Sequence, residues 1–341
     1  MKRVFTFIFV LFVIGIVAAG MLARARAPSW LKEKIISGLT NSCPKCKVGL
    51  DSVEVSFLEG RIVLHDFEFV DAPDHASQVA LRAHLVAVDF DPKSYMDGLI
   101  LIRHIRADDL NFTLIEDSKF KSEKDDDSPP FSELPEMVVQ STEVYESSFR
   151  YLHKVAPHEA SLQLTKIHGS LGSWVTRPAL EEKYAPHRTS MSAWGVLERS
   201  GTFEVRSEFE ALSKEGTLEL DVTVENQELA AVSDFFVHEC GFALEGLILK
   251  VSTHLDMKKG KIDGTLKASY SGLKLKVENP KNSGVKNFFE TVGADIVIAG
   301  EQGVNGKPPG QKIYHDERRA NQSLFSAMFH ALGGASKELV K

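Results

Sequence analysis

Cysteine is scarce in this chain, 3 in 341 residues, which excludes a scaffold held together by many disulfides. A basic excess is missing too: Lys+Arg 40 against Asp+Glu 47 leaves a formal net charge of -7. An interface dominated by phosphate contacts needs the opposite balance, so nucleic acid is not an expected partner. Trp 3 and Tyr 6 are few beside Phe 21, an aromatic set that suits a greasy interior better than a polar binding surface. The 12 His form no His-x-x-x-His or His-Glu-x-x-His pattern, and neither a Gly-rich phosphate loop nor a Ser-centred nucleophile elbow occurs. No enzyme and no cofactor is therefore expected. Beyond residue 25 there is no second uncharged run long enough to cross a bilayer.

The first such run is what the sequence does have. Residues 4–23 carry no charge and lie between Lys2-Arg3 and the pair Arg24, Arg26. At about 1.5 Å per residue, a helix of that length spans roughly 30 Å, the thickness of a bilayer's hydrocarbon core. Residues 1–25 are read as a single transmembrane anchor with a short cytoplasmic end. A cleaved secretory signal is the rival, because Ala23-Arg24-Ala25 mimics a small-x-small cleavage site; the length of the run favours the anchor. Everything after it is expected on one side of the membrane.

Next, Trp30, Leu31, Ile35, Ile36 and Leu39 fall at helical spacing, a short amphipathic helix read as seating the body on the membrane. The period then changes to two. Val53, Val55 and Phe57 precede a Gly60 turn, and beyond it stand Ile62 and Leu64, then Phe67 and Phe69. Such alternation marks half-buried strands. Further strands are read at 85–90, 99–105 and 110–114, with Asp91-Pro92 and Asp97-Gly98 as turns. Residues 118–136 are charged and carry Pro129-Pro130, a loop whose Asp125-Asp126-Asp127 run is solvated rather than metal-binding. Strand patterns resume at 148–151, 162–167, 203–209, 218–224, 247–255, 262–270 and 273–277, an extended antiparallel meander crossed by one helix at 226–236. Residues 302–311 read as loop, and 319–341 as an amphipathic helix with Leu324, Phe325, Met328, Phe329 and Leu332 on one side. The expected domains are the anchor 1–25, a first β unit 26–117, a linker 118–145, a second β unit 146–300, and the tail 301–341.

The hairpin wording Val53-Glu54-Val55-Ser56-Phe57-Leu58-Glu59-Gly60-Arg61-Ile62-Val63-Leu64-His65-Asp66-Phe67 behind an anchor resembles the N-terminus of the AsmA-like proteins of Gram-negative envelopes. Val88-Asp89-Phe90, Ser94-Tyr95, Asp97-Gly98, Ile102-Arg103-His104-Ile105 and Asp109-Leu110-Asn111-Phe112-Thr113-Leu114 continue the likeness. Gly201-Thr202-Phe203, residues 226–232 and Leu244-Glu245-Gly246 resemble the second unit of a smaller branch known only as a domain of unknown function. The resemblance covers most of residues 1–280. It implies a single-pass inner-membrane protein with a periplasmic body: mainly β, a curved antiparallel sheet with a few short packing helices. The family's long members resemble bridge-like lipid-transfer proteins, and the family supplies no catalytic residues.

Two sets of residues are candidates for function. Val55, Phe57, Leu64, Phe203, Val205, Leu220, Val222, Leu249, Val251, Leu266 and Leu275 are expected on one apolar face that could take phospholipid acyl chains, at about 0.8 kcal/mol per buried methylene. That would serve lipid transport or outer-membrane maintenance, alone or with other envelope proteins. A scaffold whose helices fill the same face is the alternative, and an uncharacterised enzyme the third. Cys43-Pro44-Lys45-Cys46 is read as a structural disulfide in an oxidising compartment, since a redox pair needs a thioredoxin-like setting that is not legible. Cys240 reads as a core thiol, with a zinc site including His238 as a weak alternative. Asp108 and Asp109 read as turn acids, and His65 and His104 as solvent-side or hydrogen-bonded residues.

Overall fold

The computed structural model describes residues 27–43, 45–56, 59–71, 77–96, 98–117, 119, 136–155, 158–184, 188–210, 212, 217–240, 242–258, 261–277, 300–302 and 310–317. The expected anchor, the acidic run at 125–127 and the amphipathic tail lie outside them. No described helix is long and apolar enough to cross a membrane.

The chain is mainly β. In order, the strands are β1 Lys47–Gly49, β2 Ser52–Ser56, β3 Arg61–Val70, β4 Ser77–Phe90, β5 Ile100–Asp117, β6 Met137–Val139, β7 Thr142–Val155 and β8 His158–Leu171. They continue as β9 Trp174–Val175, β10 Thr189–Leu197, β11 Gly201–Phe209, β12 Leu218–Glu228, β13 Phe242–Lys258, β14 Lys261–Val277, β15 Gly300–Gln302 and β16 Gly310–Glu317. Four helices among the described residues interrupt them: α1 Ala27–Ser42, α2 Pro92–Met96, α3 Pro178–Tyr184 and α4 Leu229–Cys240. The described strands join one 16-stranded sheet in the order β1-β3-β4-β5-β7-β8-β10-β11-β12-β13-β14-β15, with β2 beside β3, β16 beside β14, and β6 beside β5 and β9. Two compact units divide the chain, residues 1–151 with 166–191 and residues 152–165 with 192–341.

Several expected strands prove to be halves of longer ones. In β3 the buried residues are Ile62, Leu64, Phe67 and Phe69, so the inward spacing is two, then three, then two. The skip falls at Asp66, whose φ is 48°. One left-handed residue in a strand shifts the alternation by one position, so the apolar face continues on the same side. The same occurs at Asp109 in β5 (φ 51°), with Ile105 and Ala107 inward before it and Leu110 and Phe112 after it. Glu146 in β7, Lys166 in β8 and Asn226 in β12 also have positive φ. Asp and Asn adopt this conformation more readily than other non-glycine residues, whereas Glu and Lys occupy it at some cost.

The meander is not wholly antiparallel. Ile100↔Met137, Leu101↔Val138 and Ile102↔Val139 pair in parallel. An offset of 37 residues then recurs between β5 and β7, where the Leu110 amide donates to Ser147 Oγ at 3.2 Å and Ser148 Oγ donates to Asn111 Oδ1. A parallel return requires a crossover, and the charged stretch after β5 supplies the length. The linker expected at 118–145 therefore ends earlier: β6 and the start of β7 occupy its last residues. Val138 and Val139 are buried there, which a solvated linker would not allow.

Local chemistry sets the remaining element ends. Asp91 caps α2 by accepting the Lys93 amide at 3.0 Å, and Pro92 occupies the first helical position. The helix expected at 226–236 begins later, at Leu229, because β12 runs to Glu228 and Gln227 is held there by bonds from its Nε2 to Ser200 Oγ and the Glu228 carbonyl. Part of 302–311, expected as loop, enters β15 and β16. Gly60 has φ 64°, and a Cβ there would stand 2.2 Å from the Phe90 carbonyl oxygen.

This backbone geometry is testable at two positions. Lys166→Gly raises stability by up to about 1 kcal/mol by relieving the left-handed cost, while Lys166→Val lowers it by about 1 to 3 kcal/mol, both read by urea unfolding. Gly60→Ala is destabilising by about 2 kcal/mol or more in the same assay.

Candidate functional site

In the first unit the apolar face is filled. Leu31, Ile35 and Leu39 of α1 recur at three- and four-residue spacing and pack on Val53, Ile62, Leu64, Phe67 and Phe69. Ile35 and Leu39 are 0% exposed. The apolar side of α1 thus faces the sheet, which corrects the expectation that it seats the body on a bilayer. Val55 and Leu64, expected to line a groove, belong to this packed cluster. Phe57 lies outside the described residues.

The same end carries the disulfide Cys43–Cys46, with a Cα–Cα distance of 5.3 Å. It ties the end of α1 to the entry of β1, where the Cys46 amide donates to the Cys43 carbonyl at 3.0 Å. Asp71 Oδ1 lies 3.4 Å from Cys46 Sγ. A helix C-terminus and a nearby carboxylate both disfavour a thiolate, the reverse of what a redox-active pair uses.

In the second unit the expected face assembles from β11 to β14. Val205 stands opposite Val222, Phe203 opposite Val224, Val224 opposite Val251, and Val251 opposite Ala268. Leu220 faces Leu255, and Leu266 faces Thr253. The face has two parts. At one end Leu218, Leu220, Leu255, Met257 and Ile262 form a buried cluster, Leu220 being 0% exposed. Along the same strands Val205, Val222, Val224 and Val251 are only half-buried. Beyond them α4 covers the sheet through Leu229 and Val232, which pack with Leu244, Leu162, Ile248 and Leu273. Leu249 does not join the apolar face as expected: the register shifts between Ile248 and Lys250, and Ile248 enters the cluster instead. Gly246, with φ 114°, permits the neighbouring shift; a Cβ there would lie 2.6 Å from the Gly272 carbonyl oxygen. Leu275 pairs with Leu244 in register; its side chain and that of Cys240 lie outside those described.

Sequence reasoning missed a polar row on the exposed side of the first unit. The ladder pairs flanking Asp66, His84 and Asp109 place these three side by side on β3, β4 and β5, and the parallel offset adds Glu146 on β7. His84 Nδ1 is 2.9 Å from Asp66 Oδ1, and His168 Nε2 is 2.9 Å from Glu146 Oε1. Beside them Tyr145 donates to Glu143 Oε2 at 2.5 Å, and the Arg106 guanidinium lies 4.7 Å from the Tyr145 ring centre while donating to Asp108. His104 Nδ1 is 2.9 Å from Ser141 Oγ. Asp108 and Asp109, expected at a turn, are mid-strand. The hydrogen bond to Asp66, then the charge of Asp66 and those of Asp109 and Asp108, lifts the His84 pKa above the ordinary histidine value. The bond to Glu143 raises the Tyr145 pKa. These groups satisfy one another across strands, His84 with Asp66 and His168 with Glu146, or along one strand, Tyr145 with Glu143 and Arg106 with Asp108.

Glu219, Asp221 and His254 bring ligand-type atoms within 4.8 Å of one another, with His254 Nδ1 2.9 Å from Asp221 Oδ1. Both carboxylates face water, so the trio would hold a divalent cation only weakly. No protein-family model matches the chain, and no curated protein matches it.

Two measurements test these assignments. His84 titrates above pH 6.5 in an NMR titration, and Asp66→Asn returns it toward that value. Because the folded pKa is raised, the contribution of the pair to stability is complete below the unfolded histidine pKa and is lost as pH rises through the folded one. Replacing Cys43 and Cys46 with Ser lowers unfolding stability by about 2 kcal/mol, the loop-closure value for so short a ring.

Proposed function

We propose that the chain is a non-enzymatic envelope protein, anchored in the inner membrane by residues 4–23 with its body in the periplasm, that binds lipid acyl chains on the valine band of the second unit. The observation that carries this is the half-buried run Val205, Val222, Val224 and Val251, in register across three adjacent strands between two covered regions. A band of branched side chains, whose one polar neighbour opposite Val222, Thr253, spends its hydroxyl on the Thr265 carbonyl, suits a methylene chain, which gains about 0.8 kcal/mol for each methylene removed from water. The mechanism is passive: the acyl chain lies along the band and no bond is made or broken. The resemblance to AsmA-like proteins supports the same reading, with lipid transport or outer-membrane maintenance as its purpose.

A scaffold function is the second reading. The filled face beneath α1 favours it, since that part of the sheet has already exchanged lipid-binding surface for a core.

Native mass spectrometry of the full chain, purified from a Gram-negative envelope fraction, separates the two. Co-purified phospholipid that is lost in Val222→Asp and kept in Thr223→Asp, whose residue stands on the opposite face, supports acyl binding. Well-folded protein free of lipid overturns it in favour of the scaffold.

A further inference from the structure

The turn from α1 into β1 gathers more than two cysteines. Sγ of Cys43, Sγ of Cys46 and a carboxylate oxygen of Asp71 all lie within 4.8 Å of one another. Asp71 stands 25 residues from Cys46 in the chain, just past the end of β3, and its Oδ1 is 3.4 Å from Cys46 Sγ. A disulfide sulfur carries no hydrogen, so the oxidised pair offers this carboxylate no donor. The spacing suits a shared cation instead. With Zn–S about 2.3 Å and Zn–O about 2.0 Å, a tetrahedral ion sets sulfur and oxygen ligands roughly 3.5 Å apart. Cys-x-x-Cys is also a usual spacing for two zinc-binding thiolates. The C-terminal end of α1 and the Asp71 carboxylate disfavour a free thiolate, and the same negative field favours a dication held between two of them. Cys46 is buried, whereas Cys43 and Asp71 are half-buried, which leaves a fourth position open to water.

The geometry points to a second state of this turn, in which reduced Cys43 and Cys46 together with Asp71 bind one zinc ion. Exchange with a dithiol breaks the Cys43–Cys46 bond, the dithiol leaving as its own disulfide, and Zn2+ then takes both sulfurs while their two protons pass to water. Either closure ties the end of α1 to β1. The metal would add the end of β3, which the disulfide does not reach. This goes beyond the acyl-binding reading and holds whether or not lipid binds.

The test uses the full chain carrying Cys240→Ala, reduced with a trialkylphosphine, which leaves as its oxide, and titrated with Co2+ as a coloured stand-in for Zn2+. Circular dichroism establishes that each chain is folded. One equivalent of Co2+ is expected, with a thiolate-to-cobalt charge-transfer band and the visible bands of a tetrahedral ion, displaced by Zn2+ and absent from the oxidised chain. Asp71→Asn weakens binding by about tenfold or more, since losing even an outer partner of a metal ligand costs that much. Asp71→His, one ligand for another, keeps binding and shifts the visible bands. A reduced, folded chain without the charge-transfer band overturns the site, as does an affinity that Asp71→Asn leaves unchanged. Binding without that band, abolished by His254→Ala, puts the ion on the exposed Glu219, Asp221 and His254 trio and overturns it too. If Asp71→Asn does not fold, an unshifted spectrum in Asp71→His is the overturning result.

Discussion

A strand can keep one face apolar only while its alternation is unbroken, and several long strands meet that constraint by inserting a left-handed residue where the alternation slips. Asp66, Asp109 and Glu146 do this on β3, β5 and β7, and Lys166 does it on β8. Without such positions Phe67 and Phe69 would point to water, and the cluster beneath α1 would lose half of its contribution from β3. The same positions bring Asp66, His84 and Asp109 into one row on the solvated side, so the backbone device that preserves the core also organises the polar surface.

The two units put similar apolar faces to different uses. In the first, α1 lies on the sheet and seals it, with a disulfide holding the helix end against the first strand. In the second, the face is sealed in places and half-open along the valines, and only an open apolar surface can exchange water for a ligand. The acyl-binding reading therefore rests on a few residues of β11, β12 and β13 rather than on the whole sheet. The exposed polar network is a poor competitor, since its members are already paired with one another, across strands or along one.

Much of this architecture is legible in the residues. Period-two patterns locate most of the strands, and the three- and four-residue spacing of Leu31, Ile35 and Leu39 locates α1. The departures fall at particular places. Broken alternation at Asp66 and Asp109 mimics strand ends, because a left-handed residue and a turn leave the same trace in a linear pattern. Parity puts Leu249 on the apolar face, and the register shift beside it invalidates parity. The strands β10 and β16 leave no clear mark, since polar residues along an edge or a weakly alternating segment carry little periodic signal.

The sequence by itself determined that the chain is mainly β and that its core is aliphatic and phenylalanine-rich. These are local properties: composition and spacing act over a few residues and need no distant partner. Tertiary structure alone decided that β5 and β7 run parallel with a constant offset, that α1 covers Val55 and Leu64, and that the valines of β11 to β13 stay half-exposed. Each depends on which remote segment lies opposite a given residue. The same alternating pattern fits a filled core and an open groove equally well, and only the packing partner tells them apart.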